Sequence, residues 1–353
     1  MTNDGRSGSY TKGALILIGT ILGGVFFYLA FRDISWHDLA DGVAAMRVVY
    51  VLPCLLLYVI IQVVRSLRFV IILSPFCRVS LWDAFHVMNI WAGLNMVMPA
   101  RTAEFVRPYL LQRKGASFSS TLGAVLVERI FDLMSLLALL AVVLWSTPEI
   151  PERYTFLGQA LLGLLVFSYG GVLAILTYRD ALLAALDRAL ARAPGRFSTF
   201  VGGMVRRMIE GFGIMASPKQ TFVLFMYSLV IWTLFSCVTY LMLAAFSLNV
   251  QFLAAVTIQV LLCFGVALPA APGFIGTFHA VGRYTLALFG VAAVPALSFA
   301  TVYHLLNMFF CIVAAAISYF AGGYNLEKGL VRSPEEKKQA PDNMQSFLSQ
   351  SQL

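Results

Sequence analysis

Charge is scarce in this sequence: only 12% of its 353 residues are Asp, Glu, Lys or Arg, about half the share of an ordinary soluble domain. With 60% hydrophobic residues and a mean hydropathy of +0.83, the chain has more apolar surface than a water-soluble fold can hide, which excludes a soluble enzyme. The formal net charge of +8 is gathered in a few loops between apolar runs rather than on one basic face. It reads as topology signal, so no nucleic acid is expected as a partner. Cysteine is also sparse. Cys54, Cys77, Cys237, Cys263 and Cys311 show no C-x-x-C spacing, and most fall inside apolar runs, which argues against a disulfide framework or a zinc site. No His, Cys, Asp and Glu cluster has metal-ligand spacing, and neither a Walker loop nor a nucleophile elbow occurs. No metal or cofactor is expected, and ATP-driven transport by this chain alone is not.

What the chain does have is apolar runs of about 20 residues, enough to cross a hydrocarbon core of roughly 30 Å as helix. The fold class is therefore an all-α integral membrane protein. Residues 13–31 read as a first span, too long for a signal-peptide core. A segment with Asp33, Asp38 and Asp41 follows as an interfacial helix. Residues 48–64 form a second span that ends at Arg65, Arg68 and Arg78, whereas the preceding loop has only Arg32 and Arg47. That bias puts the amino terminus in the cytoplasm. Residues 80–98 are apolar but carry Asp83, His86, Asn89 and Asn95 and stop at Pro99. They fit a re-entrant hairpin, because irregular backbone at membrane depth persists only where protein or water covers it.

Spans at 119–145 and 154–178 follow. The segment 179–219, with seven Lys or Arg, reads as a cytoplasmic loop of amphipathic helix on an anionic lipid surface. Residues 221–246 cross again. Residues 252–289 form a second hairpin around Pro269, Pro272, Gly273 and Gly276, and 295–320 is the last span. The plan is about six full spans plus two re-entrant or broken hairpins of opposite orientation, the arrangement of an inverted repeat. Residues 1–320 make one polytopic domain of the cytoplasmic (inner) cell membrane. The polar tail 321–353 is expected to be disordered, with both termini cytoplasmic.

Four places carry candidate chemistry. Arg101, Glu104 and Arg107 recur every three residues after Pro99, so one helical face presents two guanidiniums to an anion; the plainer reading is an inside-positive edge. Glu128, Arg129 and Asp132 lie within an apolar run, where each charge costs about 2 to 3 kcal/mol to insert. They read as headgroup ligands, as a proton relay, or as a self-neutralised staple between helices. The break from Pro269 to Gly276 points the amino end of a following helix into a gap, which favours anions; a tight turn is the alternative. His279, beside that break with Arg283 one turn on, reads as a titratable group, whereas His304 reads as structural.

The stretches Asn95 to Arg107, Glu128 to Asp132 and Pro269 to Gly276 resemble the three signatures of the lysylphosphatidylglycerol synthase transmembrane-region family. The likeness spans most of residues 13–320. It implies a bundle of broken and re-entrant helices that moves lipids between leaflets. Carried over, the signature residues fall on Pro99, Arg101, Glu104 and Arg107, then on Glu128, Arg129 and Asp132. Two departures are Ala103, where a glycine is usual, and His279, where a glutamate is usual. No aminoacyl-lipid synthesis is expected, because the tail offers no synthase domain.

The resulting expectation is a flippase rather than an enzyme, acting on an anionic or polyprenyl-phosphate-linked lipid. Arg101, Arg107, Arg129 and Arg283 would hold the phosphate, and Glu104, Glu128, Asp132 and His279 would gate it or relay protons. Helix breaks at Pro99, Pro269, Pro272, Gly273 and Gly276 would shape the site. Two alternatives stand beside it: a non-transporting accessory protein for a lipid or glycan biosynthetic enzyme, and a lipid-phosphate-dependent glycosyltransferase.

Overall fold

The computed structural model describes residues 20–112, 115–146, 163–164, 167, 170–171, 173–175, 177–191, 195–213, 217–265 and 271–323. Within them, the side chains of 99–101, 196–197, 199–200, 204, 207–208, 210–211 and 272 lie outside the description. Pro269, the start of the expected first span, most of the expected span at 154–178 and the tail from 324 onward are likewise outside the described residues.

Every regular element described is helical. In chain order these are α1 (Thr20–Phe31), α2 (Trp36–Ala44), α3 (Val51–Leu73), α4 (Leu81–Val97), α5 (Val106–Gln112), α6 (Phe118–Ser146), α7 (Arg179–Leu190) and α8 (Gly195–Phe212), followed by α9 (Pro218–Ala245), α10 (Phe252–Gly265), α11 (Thr277–Leu288) and α12 (Ala293–Ala321). Their starts follow local chemistry. The Ser35, Ser80 and Ser217 hydroxyls accept the backbone N–H groups of His37, Asp83 and Gln220, capping α2, α4 and α9.

Among the described residues, three helical stretches are long and apolar enough to cross a membrane: Val48–Leu73, Pro218–Ala245 and Ala293–Ala321. With 29 residues, α6 has the length, but Glu128, Arg129 and Asp132 interrupt its apolar character. The chain is an integral membrane protein.

The second span departs from expectation. It does not end at Arg65 and Arg68, since α3 continues unbroken to Leu73 and carries both arginines inside the helix. Phe69 and Ile72 beyond them are fully buried, as is Arg68 itself. A charge partnered within a bundle does not need the aqueous edge of the membrane, so the arginines do not terminate the helix.

Small residues set the closest packing, as they do where helices meet in lipid. A side chain at Gly93 of α4 would collide with Ala315 and the Cys311 carbonyl of α12, and one at Gly282 of α11 with Ala300 of α12. The basic segment forms two helices: α8 lies along α6, and Arg206 joins it to Asp187 of α7.

Both expected breaks occur. Pro99 holds Met98 extended (φ −79°, ψ 134°), which ends α4 and starts a 3-10 turn over Pro99–Phe105 that leads into α5. The second break is a 3-10 turn over Pro272–Phe274, with Gly273 at φ 68° and Gly276 at φ 87°. These left-handed values suit glycine, and contact reinforces the requirement: a side chain on Gly276 would meet the Gly23 carbonyl of α1. The two breaks touch, and a Cβ on Gly273 would stand 3.1 Å from the Met96 carbonyl.

Candidate functional site

A cluster of buried charges ties α3, α5 and α6 together. The 3-10 turn runs directly into α5, so Glu104 near its end and Arg107 in the first turn of α5, three residues apart, form a direct ion pair. Arg107 also donates to Glu128 at 2.9 Å, and Arg68 donates to Asp132 at 2.6 Å and lies 3.5 Å from Glu128. Arg129 meets Glu128 at 2.9 Å, Asp132 at 3.5 Å and Glu104 at 3.6 Å. Arg68, Arg107 and Glu128 are wholly removed from solvent. Asp132 further accepts the Trp232 indole N–H at 3.2 Å, and Arg68 reaches the Ser228 hydroxyl. Burying such charges is costly unless each is paired and hydrogen-bonded, and here every charge has an ion-pair partner and at least one hydrogen bond.

Trp91 of α4 is the hub of the arginines. Its ring centroid lies 4.3 Å from the guanidinium carbon of Arg107, 4.9 Å from that of Arg65 and 5.5 Å from that of Arg129. The negative face of an indole attracts such cations.

Beside the cluster, among α3, α4, α6 and α9 to α12, lies a cavity of about 180 Å³. Residues from both broken segments line it, Asn95, Met96 and Glu104 from the first and Phe274 and Phe278 from the second. Arg65 and Arg129 reach its wall. On the opposite side the Tyr303 hydroxyl donates to Gln259 at 3.0 Å and contacts the Thr239 hydroxyl at 3.0 Å. His304 also lines the cavity, and its Nε2 lies 2.7 Å from the Gly273 carbonyl, so it secures the second break.

Of the residues expected from sequence, Glu104, Arg107, Glu128, Arg129 and Asp132 form one cluster, in which Glu104 and Arg129 face the cavity. Arg107, Glu128 and Asp132 turn into the protein. Arg283 is placed elsewhere: it donates to the carbonyls of Leu29 at 3.3 Å and of Ala30, at the end of α1, and lies 3.6 Å from Asp33. His279 packs against Phe31 at 5.4 Å and His304 at 5.1 Å between ring centroids, behind the cavity wall. The side chains of Arg101, Pro99 and Pro272 are outside the description.

Sequence reasoning missed Arg65, Arg68 and Trp91. The signal was present: the run from Phe69 to Leu73 stays apolar after the arginines, so the helix had no reason to stop there. Arg65, Arg68, Arg107 and Arg129 face Glu104, Glu128 and Asp132, which leaves one positive charge in excess among the described side chains.

Comparison with known proteins places this architecture. The profile of a family described as Lysylphosphatidylglycerol synthase TM region matches residues 16–315. A protein named Glycosyltransferase AglD, from Haloferax volcanii, is 27% identical over 274 residues, covering 68% of this chain and 43% of that protein. The UPF0104 membrane protein MJ1078 of Methanocaldococcus jannaschii is 22% identical over 251 residues, covering 69% of this chain and 99% of that protein. This chain thus spans less than half the length of the first of these relatives and nearly all of the second.

Proposed function

Because the chain belongs to the lysylphosphatidylglycerol synthase TM-region family, we propose that it moves a lipid with a phosphate-bearing headgroup between the leaflets of the cytoplasmic membrane. The observation that carries this reading is the cavity between two contacting helix breaks, beside a buried charge cluster with one guanidinium in excess. Phosphate is the favoured guest because a guanidinium in a low-dielectric site recovers its lost hydration from an oxyanion. Arg129 and Glu104 face the guest, and their partners Glu128, Arg107 and Asp132 hold them in place. The two breaks let the headgroup pass at mid-membrane depth, as broken helices do in transporters built from opposed repeats. On this reading both termini are cytoplasmic, and the basic α7–α8 hairpin lies on an anionic leaflet.

The experiment is lipid movement in proteoliposomes, read with headgroup-labelled lipids and an impermeant quencher. The inner-leaflet pool of an anionic probe is expected to become quenchable with wild type and to stay protected with Arg129→Gln. If wild-type vesicles match protein-free ones for anionic, polyprenyl-phosphate and zwitterionic probes, with and without a pH gradient, the proposal fails. The name of the Haloferax relative supports a second reading, glycosyl transfer from a lipid phosphate with Glu128 and Asp132 as acid and base. Both carboxylates are held by arginines and turned from the cavity, so this reading ranks second.

A further inference from the structure

We infer that Arg65, Trp91 and Asn95 form the recognition end of the cavity, and that they select an oxyanion whose substituent carries a hydrogen-bond donor. The inference rests on the reading that the cavity takes an anionic headgroup, and it assigns that recognition to α3 and α4 rather than to the arginines that follow Pro99.

Arg65 forms no ion pair among the described residues. Its guanidinium lies 4.9 Å over Trp91 and 5.7 Å from the Phe235 ring centroid, so aromatic rings are its nearest covering and, among the described residues, no carboxylate comes within ion-pair distance. A relay fixes its orientation. Asn89 donates to the Ser318 hydroxyl at 3.0 Å, Gln62 donates to Asn89 at 2.7 Å, and Arg65 Nη1 donates to the remaining Gln62 oxygen at 3.4 Å. With Nη1 engaged and a guanidinium face covered by Trp91, the Nε of Arg65 has no hydrogen-bond partner among the described residues although it is buried.

Among the described residues, four further buried polar atoms around the same cavity lack partners: the Trp91 indole N–H, the Asn95 side-chain oxygen, the Tyr58 hydroxyl and Arg129 Nε. Trp91 is only 4% exposed, yet its indole N–H has no acceptor, and the Asn95 side-chain oxygen one helical turn along α4 has no donor. Orphaned buried polar atoms are disfavoured by about 1 to 3 kcal/mol each unless a ligand or water satisfies them. Arg65, Trp91 and Arg129 offer donors, Asn95 an acceptor, and the Tyr58 hydroxyl can do either. The complementary guest offers oxyanion oxygens to Arg65 and Trp91 and a hydroxyl or ammonium hydrogen to Asn95. A phosphodiester whose substituent carries a hydroxyl has that pattern, whereas a methyl phosphodiester has the charge without the donor.

The test is equilibrium binding to the full chain in detergent, using short-chain phosphatidylglycerol, phosphatidylmethanol and phosphatidylcholine as probes. Wild type is expected to bind phosphatidylglycerol about tenfold more tightly than phosphatidylmethanol, the worth of one good hydrogen bond, and phosphatidylcholine most weakly. Asn95→Leu is expected to bring the first two probes level without weakening phosphatidylmethanol. Arg65→Gln is expected to weaken both by tenfold or more. Trp91→Phe keeps the ring beneath the guanidinium and is expected to weaken both equally, reporting the lost N–H alone. Thermal unfolding of each variant separates lost binding from lost fold. Equal wild-type affinity for phosphatidylglycerol and phosphatidylmethanol, or wild-type binding in folded Arg65→Gln, would overturn the inference. Because the measurement requires no leaflet crossing, selective binding without lipid movement would sink the transport reading and leave this site standing. Lipid movement that survives Arg65→Gln would do the reverse.

Discussion

Arg68 of α3 and Asp132 of α6 form a 2.6 Å ion pair in which the arginine is fully buried and the aspartate nearly so. The pair joins helices 64 positions apart in sequence. Removing Arg68 takes from Asp132 its shortest ion pair and leaves it only Arg129, at 3.5 Å, and the Trp232 indole N–H where water does not reach. Arg68→Ala is therefore expected to lower stability by about 3 kcal/mol, read as thermal unfolding in detergent. The double change Arg68→Met with Asp132→Leu should unfold at a higher temperature than Arg68→Ala, because apolar side chains then fill the site and no carboxylate is left there without its closest partner.

Glu128 and Glu104 differ in the same way. Glu128 is wholly buried and pairs with Arg68, Arg107 and Arg129, whereas the Glu104 side chain is 20% exposed. Glu128→Gln is expected to be the more destabilising of the two neutral isosteres, by 2 kcal/mol or so, and the same unfolding measurement checks the order.

At Gly276 conformation and contact coincide: its φ of 87° and the adjacent Gly23 carbonyl both exclude a side chain. Gly276→Ala is expected to separate α1 from the second break and expose Gly23 to cysteine scanning. Gly24 has open space around it, so Gly24→Ala should leave unfolding temperature and labelling unchanged.

Cys263 lines the cavity, while Cys54 is fully buried against the Val238 carbonyl at 3.9 Å. A small polar thiol reagent is expected to modify Cys263 and spare Cys54, with mass spectrometry as the readout. Modification of both at equal rates would show that the reagent reports unfolding and not the cavity.

The Arg206 and Asp187 pair gives the contrast. Both side chains are largely in solvent, 42% and 57% exposed, so Asp187→Ala should change stability by less than about 0.5 kcal/mol.

The helix breaks were legible from sequence because proline and glycine act locally: Pro99 lacks the N–H that α4 would need, and Gly273 and Gly276 take backbone angles few other residues accept. The charge cluster was half legible. Glu128, Arg129 and Asp132 stood out as costly residues in an apolar run, but their main partners, Arg68 and Arg107, come from other helices, and no spacing rule connects them. Arg65 and Arg68 were misplaced because a positive charge after an apolar run has the same pattern at a membrane edge and inside a bundle. The histidines show the same limit. Proximity to the break favoured His279, yet the side chain that bonds the break is His304, brought there by the packing of α12.

The order of the charges along the chain also bears on how the protein is made. Arg68 and Arg107 precede Glu128 and Asp132 in the sequence, so both arginines have left the ribosome before α6 is complete. A helix with three ionisable residues near its middle enters lipid reluctantly by itself. If α3 and α5 wait at the insertion site with their guanidiniums exposed, α6 joins them as part of a neutral assembly. Membrane insertion of α6 should then depend on residues synthesised earlier, so a defect at Arg68 would appear first as failed biogenesis and only later as failed function.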